Sequence, residues 1–175
     1  MATSASRDRR ARLRIRTLVR GWPWYYETTP VFRHEVVLHS IPNVRGYFQE
    51  DMGAWAVAPG GFKPRPKHDV DGMSFFRDDF TSQRDLAKAS RHPDGVRVSR
   101  FTVRQLRELG LDPEADPDHN ELPGHVIVRA LCFVDKNLLT DADRQKMRDV
   151  QQRLAQLATA NGVYCPPNLP DPTRR

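Results

Sequence analysis

The chain has 175 residues, of which 38% are hydrophobic and 29% are charged, and its 28 basic and 22 acidic residues give a net charge of +6. This size suits one globular domain that folds without disulfide or metal cross-links. Its two cysteines, Cys132 and Cys165, are too few for a disulfide scaffold or a thiolate zinc site. No apolar stretch approaches the ~20 residues that span a bilayer, so we expect a cytoplasmic protein without a transmembrane segment.

Residues 1–20 form an arginine-rich arm that holds the entire net charge. Seven arginines and one aspartate give the arm +6, while 21 basic residues balance 21 acidic residues in the rest of the chain. The seven arginines are Arg7, Arg9, Arg10, Arg12, Arg14, Arg16 and Arg20. Arginine neutralises phosphate and binds it in a fork geometry. The arm therefore predicts contact with nucleic acid or with an acidic protein surface, and a solubilising tail is the plainer alternative.

Residues 21–34 form a linker that is rich in aromatic residues and prolines. Four of its large aromatic residues lie within five positions; they are Trp22, Trp24, Tyr25 and Tyr26. Pro23 and Pro30 exclude a regular helix here. Beside an arginine arm, such rings are suited to stack on unpaired bases. Packing at the edge of the core is the structural alternative.

Residues 35–164 are predicted to form the globular domain. Apolar runs and apolar–polar alternation indicate strands, whereas a capping residue followed by apolar residues three and four positions apart indicates a helix. The predicted strands are 35–41, 54–58, 96–101 and the most apolar run, 125–134, which we interpret as central. The predicted helices are 81–90, Thr102 to Gly110 and Thr140 to Asn161.

These elements show no regular alternation of strand and helix. They predict a single α+β domain with a mainly antiparallel sheet of about four or five strands, packed by two or three helices. Residues 165–175 are a proline-rich tail. Because extended ends often become ordered only against a neighbour, the arm and the tail are compatible with an oligomer or a larger assembly.

The segment 68–79 concentrates residue types that carry out catalysis. Its candidate site residues are His68, Asp69, Asp71, Ser74 and Arg77. An extended backbone points Asp69 and Asp71 to the same side, where they and His68 are suited to hold a divalent cation. Arg77 is the candidate anion-binding residue. The structural alternative is a polar turn with its bend at Asp71.

His125 opens the apolar run 125–134, so we expect its backbone to be well held at one end of a sheet. A histidine in that position serves as a general base or metal ligand, or as an edge residue with a single hydrogen bond. His34 and His39 are five residues apart and are therefore expected on opposite faces of a strand.

Two classes of function remain. The first is a non-enzymatic binding or assembly protein whose arm and linker aromatics contact nucleic acid or a partner subunit. The second is a small metal- or histidine-dependent hydrolase or transferase that acts on a nucleotide or phosphoester. Its catalytic residues would be His125, Asp71 and Ser74, and its cofactor a divalent metal. The enzyme hypothesis requires His125 and Asp71 to converge in one pocket.

Overall fold

The computed structural model describes residues 30–51, 54–116 and 122–172 of the chain. The arm, residues 1–20, and the four aromatic residues between Trp22 and Tyr26 lie outside the described residues. The predicted contacts of the arm and of these aromatics therefore stay predictions.

The described residues form one α+β domain, as the sequence predicts. The strands are β1 (Val36–Pro42), β2 (Phe48–Asp51), β3 (Ala54–Val57), β4 (Met73–Arg77), β5 (Val96–Thr102), β6 (Glu114–Ala115) and β7 (His125–Val128). The helices are α1 (Gln83–Ala89), α2 (Val103–Glu108) and α3 (Asp141–Asn161), and single turns of 3-10 helix cover Pro59–Phe62, Arg129–Leu131 and Lys136–Leu138. None of the helices in these ranges is long and apolar enough to cross a membrane.

Five strands pair into one antiparallel sheet in the order β5-β1-β4-β7-β6. β1 pairs with β5 along its whole length, from Val36 opposite Thr102 to Pro42 opposite Val96. β4 lies at the centre, between β1 and β7. β2 and β3 form a separate hairpin that packs against α3. The expected antiparallel sheet of four or five strands with two or three helices is confirmed.

The two faces of the sheet carry separate apolar clusters. Consecutive strand residues point to opposite faces, so Val37 and Leu38 of β1 belong to different clusters. The larger cluster includes Leu154, Ala155 and Ala158 of α3. The smaller cluster includes Leu86 of α1. A helix therefore covers each face of the sheet, and burying a large apolar side chain such as Leu154 contributes about 1.5–3 kcal/mol.

Capping contacts confirm the predicted helix starts. Thr140 Oγ1 accepts a hydrogen bond from Asp143 N at 3.1 Å and donates one to Asp143 Oδ2 at 2.6 Å. Hydrogen bonds from the hydroxyl and the backbone of Thr140 lower the pKa of Asp143 below its usual value. The equivalent pair at α2 is Thr102 and Gln105. Gly110 follows α2 with φ +75°, the left-handed conformation that ends helices.

β7 is shorter and less central than the sequence predicts. The expected strand over 125–134 ends at Val128, and the chain then turns through Arg129–Leu131. Beyond that turn, Phe133 N donates to the carbonyl of Asp69 at 2.7 Å. The central position belongs to β4, which has a hydrogen-bonded neighbour on each side.

β4 occupies the segment that the sequence marks as a catalytic loop. Four of its five residues are buried and Ser74 is half-buried, so the strand has no apolar–polar alternation to reveal it. β5 departs from expectation in the same way. Alternation predicts Arg97 and Ser99 at the surface, yet both are buried because β5 is covered on both faces.

The last residue of α3 and the segment that follows it close the outer edge of β5. Tyr164 exchanges two backbone hydrogen bonds with Val98, at 2.9 and 3.0 Å, and Asn161 Nδ2 donates to the carbonyl of Arg100 at 2.8 Å. An open edge strand is a template for pairing with another chain. These contacts therefore limit such pairing at β5.

Candidate functional site

The C-terminal end of the linker is held at one place on the domain. Val31 is 3% exposed within the larger core cluster, and its carbonyl accepts a hydrogen bond from Arg107 Nη2 at 3.0 Å. Arg104 N donates to the carbonyl of Arg33 at 3.0 Å. We call residues 31–35 the anchor. Its position beside α2 decides where the preceding residues join the domain.

A buried ion pair fastens the anchor to the sheet. Arg77 Nε and Nη2 donate to Glu35 Oε2 and Oε1 at 2.6 and 2.8 Å, and the two side chains are 2% and 6% exposed. Glu35 Oε1 also accepts a hydrogen bond from Phe32 N at 3.0 Å. Arg77, the candidate anion-binding residue, thus directs two of its donors to a carboxylate of the chain itself.

Three exposed arginines lie at the anchor or on the neighbouring helix. Arg104 and Arg33 approach Glu108 at 2.7 and 3.9 Å, and Arg107 approaches Asp112 at 2.7 Å. Exposed pairs of this kind contribute about 0–1 kcal/mol each. These arginines can therefore change partners at small cost when another anion approaches.

The metal-ligand candidates of segment 68–79 are divided between the interior and the surface. Asp69 is 1% exposed, and its Oδ2 accepts hydrogen bonds from Arg65 N and Nε at 2.7 and 3.0 Å. His68 and Asp71 are exposed. Within the described ranges, no group of three or more His, Cys, Asp or Glu side chains is placed to hold a metal. The structure does not bring His68, Asp69 and Asp71 together.

The catalytic candidates are also spread along the sheet. His125 lies opposite Phe76 and Ser74 lies opposite Ile127, so Ser74 and His125 share one face, two residues apart along the strands. Asp71 precedes β4 and is five residues from Phe76, or roughly 15 Å at about 3.3 Å per residue. Ser74 and His125 are therefore neighbours on the sheet, whereas Asp71 lies beyond its opposite end.

The acid beside His125 is Asp116, which no sequence pattern singles out. His125 Nδ1 lies 3.2 Å from Asp116 Oδ2 and 3.1 Å from the Asp116 carbonyl oxygen. The His125 side chain is 2% exposed, and its ring centroid lies 5.2 Å from that of Phe76. The contact with Asp116 orients the imidazole within the sheet.

His39 is a second buried histidine, while His34 is exposed. The His39 ring lies 5.5 Å from the Phe62 ring and 4.9 Å from the Phe75 ring, and its Nδ1 is 2.9 Å from the carbonyl oxygen of Ser74. Burial lowers the pKa of His39 from 6.5 to about 4. The imidazole is therefore neutral at pH 7. It packs against aromatic rings and adds a side-chain contact between β1 and β4.

A buried arginine marks another polar site, which we call the Arg97 site; it comprises Arg97, Asn43, Phe48 and Trp55. Arg97 is 6% exposed, and its Nε donates to Asn43 Oδ1 at 3.0 Å. The guanidinium carbon lies 5.0 Å from the ring centroid of Phe48 and 5.9 Å from that of Trp55. Both rings belong to the β2–β3 hairpin, so the hairpin and the end of β5 build this site together.

Asn43 connects the Arg97 site to a neighbouring cleft of about 210 Å³. Asn43 Nδ2 donates to the carbonyl of Pro170 at 2.9 Å, which places the C-terminal segment at the cleft wall. Arg45, Asp94 and Asp171 also line the cleft. Sequence reasoning misses the Arg97 site because a buried arginine and an exposed one look the same in an alternating strand.

Comparison of the chain with known protein-family models, with curated proteins and with solved structures found no match.

Proposed function

We propose that the chain is a non-enzymatic binding protein whose arginine-rich arm contacts nucleic acid, with the linker aromatics stacking on unpaired bases. The partition of charge is the observation that carries this proposal. The arm holds +6 and the remaining 155 residues are neutral, so attraction to a polyanion is concentrated in one segment. Phosphate contacts made by arginine supply most of the affinity of sequence-independent binding.

The anchor supports this proposal because it joins the arm and linker to the domain at a defined place. The buried pair of Glu35 and Arg77 and the buried side chain of Val31 hold the backbone there. Arg33, Arg104 and Arg107 are exposed beside it. A polyanion on the arm would meet further arginines at the point where the arm reaches the domain.

Salt dependence tests the role of the arm. Binding of the full chain to a short single strand is measured between 50 and 300 mM salt. A plot of the logarithm of the association constant against the logarithm of the salt concentration should have a slope of up to about −5. Each of seven neutralised phosphates contributes about −0.7 to this slope. Replacing Arg12 and Arg14 with Gln should make that slope about 1.4 less negative.

The matched control removes two arginines from the domain. Arg148 and Arg153 are exposed on α3, and Arg148 lies 13 residues, or about 20 Å of helix, from Asn161. Asn161 contacts Gln105 of α2, next to the anchor. Arg148→Gln together with Arg153→Gln should leave the slope unchanged. An equal change in slope for both double variants would overturn the proposal.

The linker aromatics are tested by comparing single and double strands. Replacement of Trp22 and Trp24 by Leu should weaken binding to the single strand by tenfold or more, since each stacked base contributes about 1–3 kcal/mol. Binding to the duplex, whose bases are already stacked, should change little. If the chain binds neither strand form but binds an acidic partner protein through the arm, the partner-subunit hypothesis replaces this one.

The alternative hydrolase or transferase function receives no specific support from the geometry. His125 and Asp71 lie toward opposite ends of the sheet, and His125 contacts Asp116 inside it. A nucleotide or phosphoester turned over by the purified chain, and lost in His125→Ala, would restore that alternative.

A further inference from the structure

Arg97 is a buried cation whose surroundings supply aromatic rings and one amide. Its side chain is 94% removed from solvent, and its contacts are Asn43 Oδ1 and the rings of Phe48 and Trp55. Among the side chains that the structure describes, Arg97 makes no ion pair with a carboxylate. A buried charge is ordinarily paired, because desolvation of an ion costs several kcal/mol.

The terminal nitrogens of Arg97 remain available as donors. A guanidinium has five N–H groups, and only the Nε–H of Arg97 has an acceptor among the described residues. Neither Nη atom of Arg97 is both fully buried and without a hydrogen-bond partner. The residual 6% exposure of Arg97 therefore includes its Nη edge, which solvent or another acceptor can reach.

The aromatic contacts do not compensate for the missing countercharge. A contact with an aromatic ring and a hydrogen bond to a neutral amide each stabilise a cation by much less than its desolvation costs. The rings and Asn43 hold the guanidinium in place, but they leave its charge uncompensated. An anion at the Nη edge would supply both the charge and the acceptors.

We propose that Arg97 is the centre of an anion-binding site, in which its two Nη groups bind an oxyanion of the phosphate or carboxylate type. Two parallel N–H groups match two oxygens of either anion. Arg45 lines the adjoining cleft and adds a positive charge there. Asp94 and Asp171 line the adjoining cleft and oppose an anion, so we expect a dissociation constant on the order of 1 mM for inorganic phosphate.

Side-chain NMR of the full chain tests this site directly. Buried arginines give separate Nε–Hε resonances, and Arg77 provides an internal reference because Glu35 already occupies its Nε and Nη2. Inorganic phosphate, acetate and chloride are titrated at constant ionic strength. The Arg97 resonance should shift saturably with phosphate or acetate, while the Arg77 resonance stays in place.

Two results would overturn the proposal. One is an Arg97 resonance that does not move with either oxyanion. The other is an equal shift with chloride, which would indicate screening alone. The wild-type titration needs no variant, so it is decisive even if a substitution at Arg97 prevents folding.

Arg97→Lys provides the chemical control. Lysine keeps the positive charge but loses the fork, so phosphate affinity, followed by Trp55 fluorescence or a backbone resonance of the hairpin, should fall at least tenfold. Arg45→Gln should weaken binding only two- to threefold, since Arg45 is exposed. Equal affinity of Arg97→Lys and wild type would contradict the assignment.

A short oligonucleotide distinguishes a free anion from a backbone phosphate. A shift of the Arg97 resonance with both phosphate and oligonucleotide would identify a phosphodiester as a ligand, and a shift with phosphate alone would identify a small free anion. The same titration on a chain whose seven arm arginines are replaced by Gln separates the two proposals. Phosphate binding at Arg97 should persist there even if the arm has no role in nucleic-acid binding.

Discussion

Arg77 and Arg97 are both buried arginines on strands of the same sheet, yet their surroundings differ. Arg77 donates two hydrogen bonds to Glu35, and the pair is bidentate. Arg97 donates one hydrogen bond to the neutral amide of Asn43 and contacts two aromatic rings. Among the described side chains, Arg77 therefore has a carboxylate partner, whereas the contacts of Arg97 are a neutral amide and aromatic rings.

His39 shows a third way to bury a basic group. Its imidazole is neutral at pH 7 because burial lowers its pKa to about 4. Arginine cannot lose its proton in this way, since a guanidinium stays protonated in proteins. A buried arginine must therefore find an anion, whereas a buried histidine can give up its charge. This difference determines how much each substitution should change the free energy of unfolding.

Glu35→Gln should have the largest effect, because it removes the carboxylate that accepts two hydrogen bonds from the buried guanidinium of Arg77. Breaking a buried ion pair in this way destabilises a protein by about 3–5 kcal/mol. Urea unfolding of the variant and wild type measures the difference. Glu108→Gln removes an exposed acid beside the anchor and should change stability by less than about 0.5 kcal/mol. A loss below 1 kcal/mol for Glu35→Gln would show that Arg77 tolerates burial without its carboxylate.

Because of His39, the free energy of unfolding should decrease as the pH is lowered. The folded-state pKa of about 4 lies below the unfolded value of 6.5, so the unfolded chain binds the proton first as the pH decreases. The associated stability is complete above pH 6.5 and is lost as the pH falls toward 4. About 2 kcal/mol of it should disappear between pH 7 and pH 5.

His39→Asn provides the reference for that pH dependence. Asparagine keeps a donor for the carbonyl of Ser74 but does not titrate. Unfolding free energies at pH 7 and pH 5 should differ by about 2 kcal/mol less in the variant than in wild type. The same pH dependence in both proteins would place the titrating group elsewhere.

Arg97→Met should have the smallest effect in buffer without oxyanions. It removes the cation–aromatic contacts and the hydrogen bond to Asn43, but it also removes a buried charge whose desolvation those contacts do not offset, so stability should stay within about 1 kcal/mol of wild type or rise. Arg77→Met should lower the free energy of unfolding by about 3–5 kcal/mol, because it removes the guanidinium that pairs with the buried carboxylate of Glu35. Adding phosphate should stabilise wild type and leave Arg97→Met unchanged. Equal losses for the two methionine variants would remove the contrast between the two arginines.

Sequence patterns predict those parts of the fold whose signals lie within a few neighbouring residues. The caps at Thr102 and Thr140 and the left-handed Gly110 lie within a few residues of the helix ends that they define. β4 could not be recognised, because burial on both faces removes the alternation that identifies a strand. Its position next to β7 depends on residues about 50 positions away along the chain.

The candidate sites show the same limit. Asp69 and Arg77 were singled out for their chemistry, yet each has a basic or acidic partner that only the folded chain brings near, Arg65 in one case and Glu35 in the other. His125 was likewise chosen without Asp116. Contacts with a partner many residues away leave no periodic signal in the sequence.

The sequence by itself determined the distribution of charge, with all the net charge in residues 1–20, and the α+β class of the domain. Both follow from residue types and from patterns shorter than a single element. The tertiary structure decided which buried groups are paired. A carboxylate reaches Arg77 across 42 residues, while the described hydrogen-bond partner of Arg97 is an amide 54 residues away. Such pairings depend on the register of strands and on the packing of the β2–β3 hairpin, which no local pattern specifies.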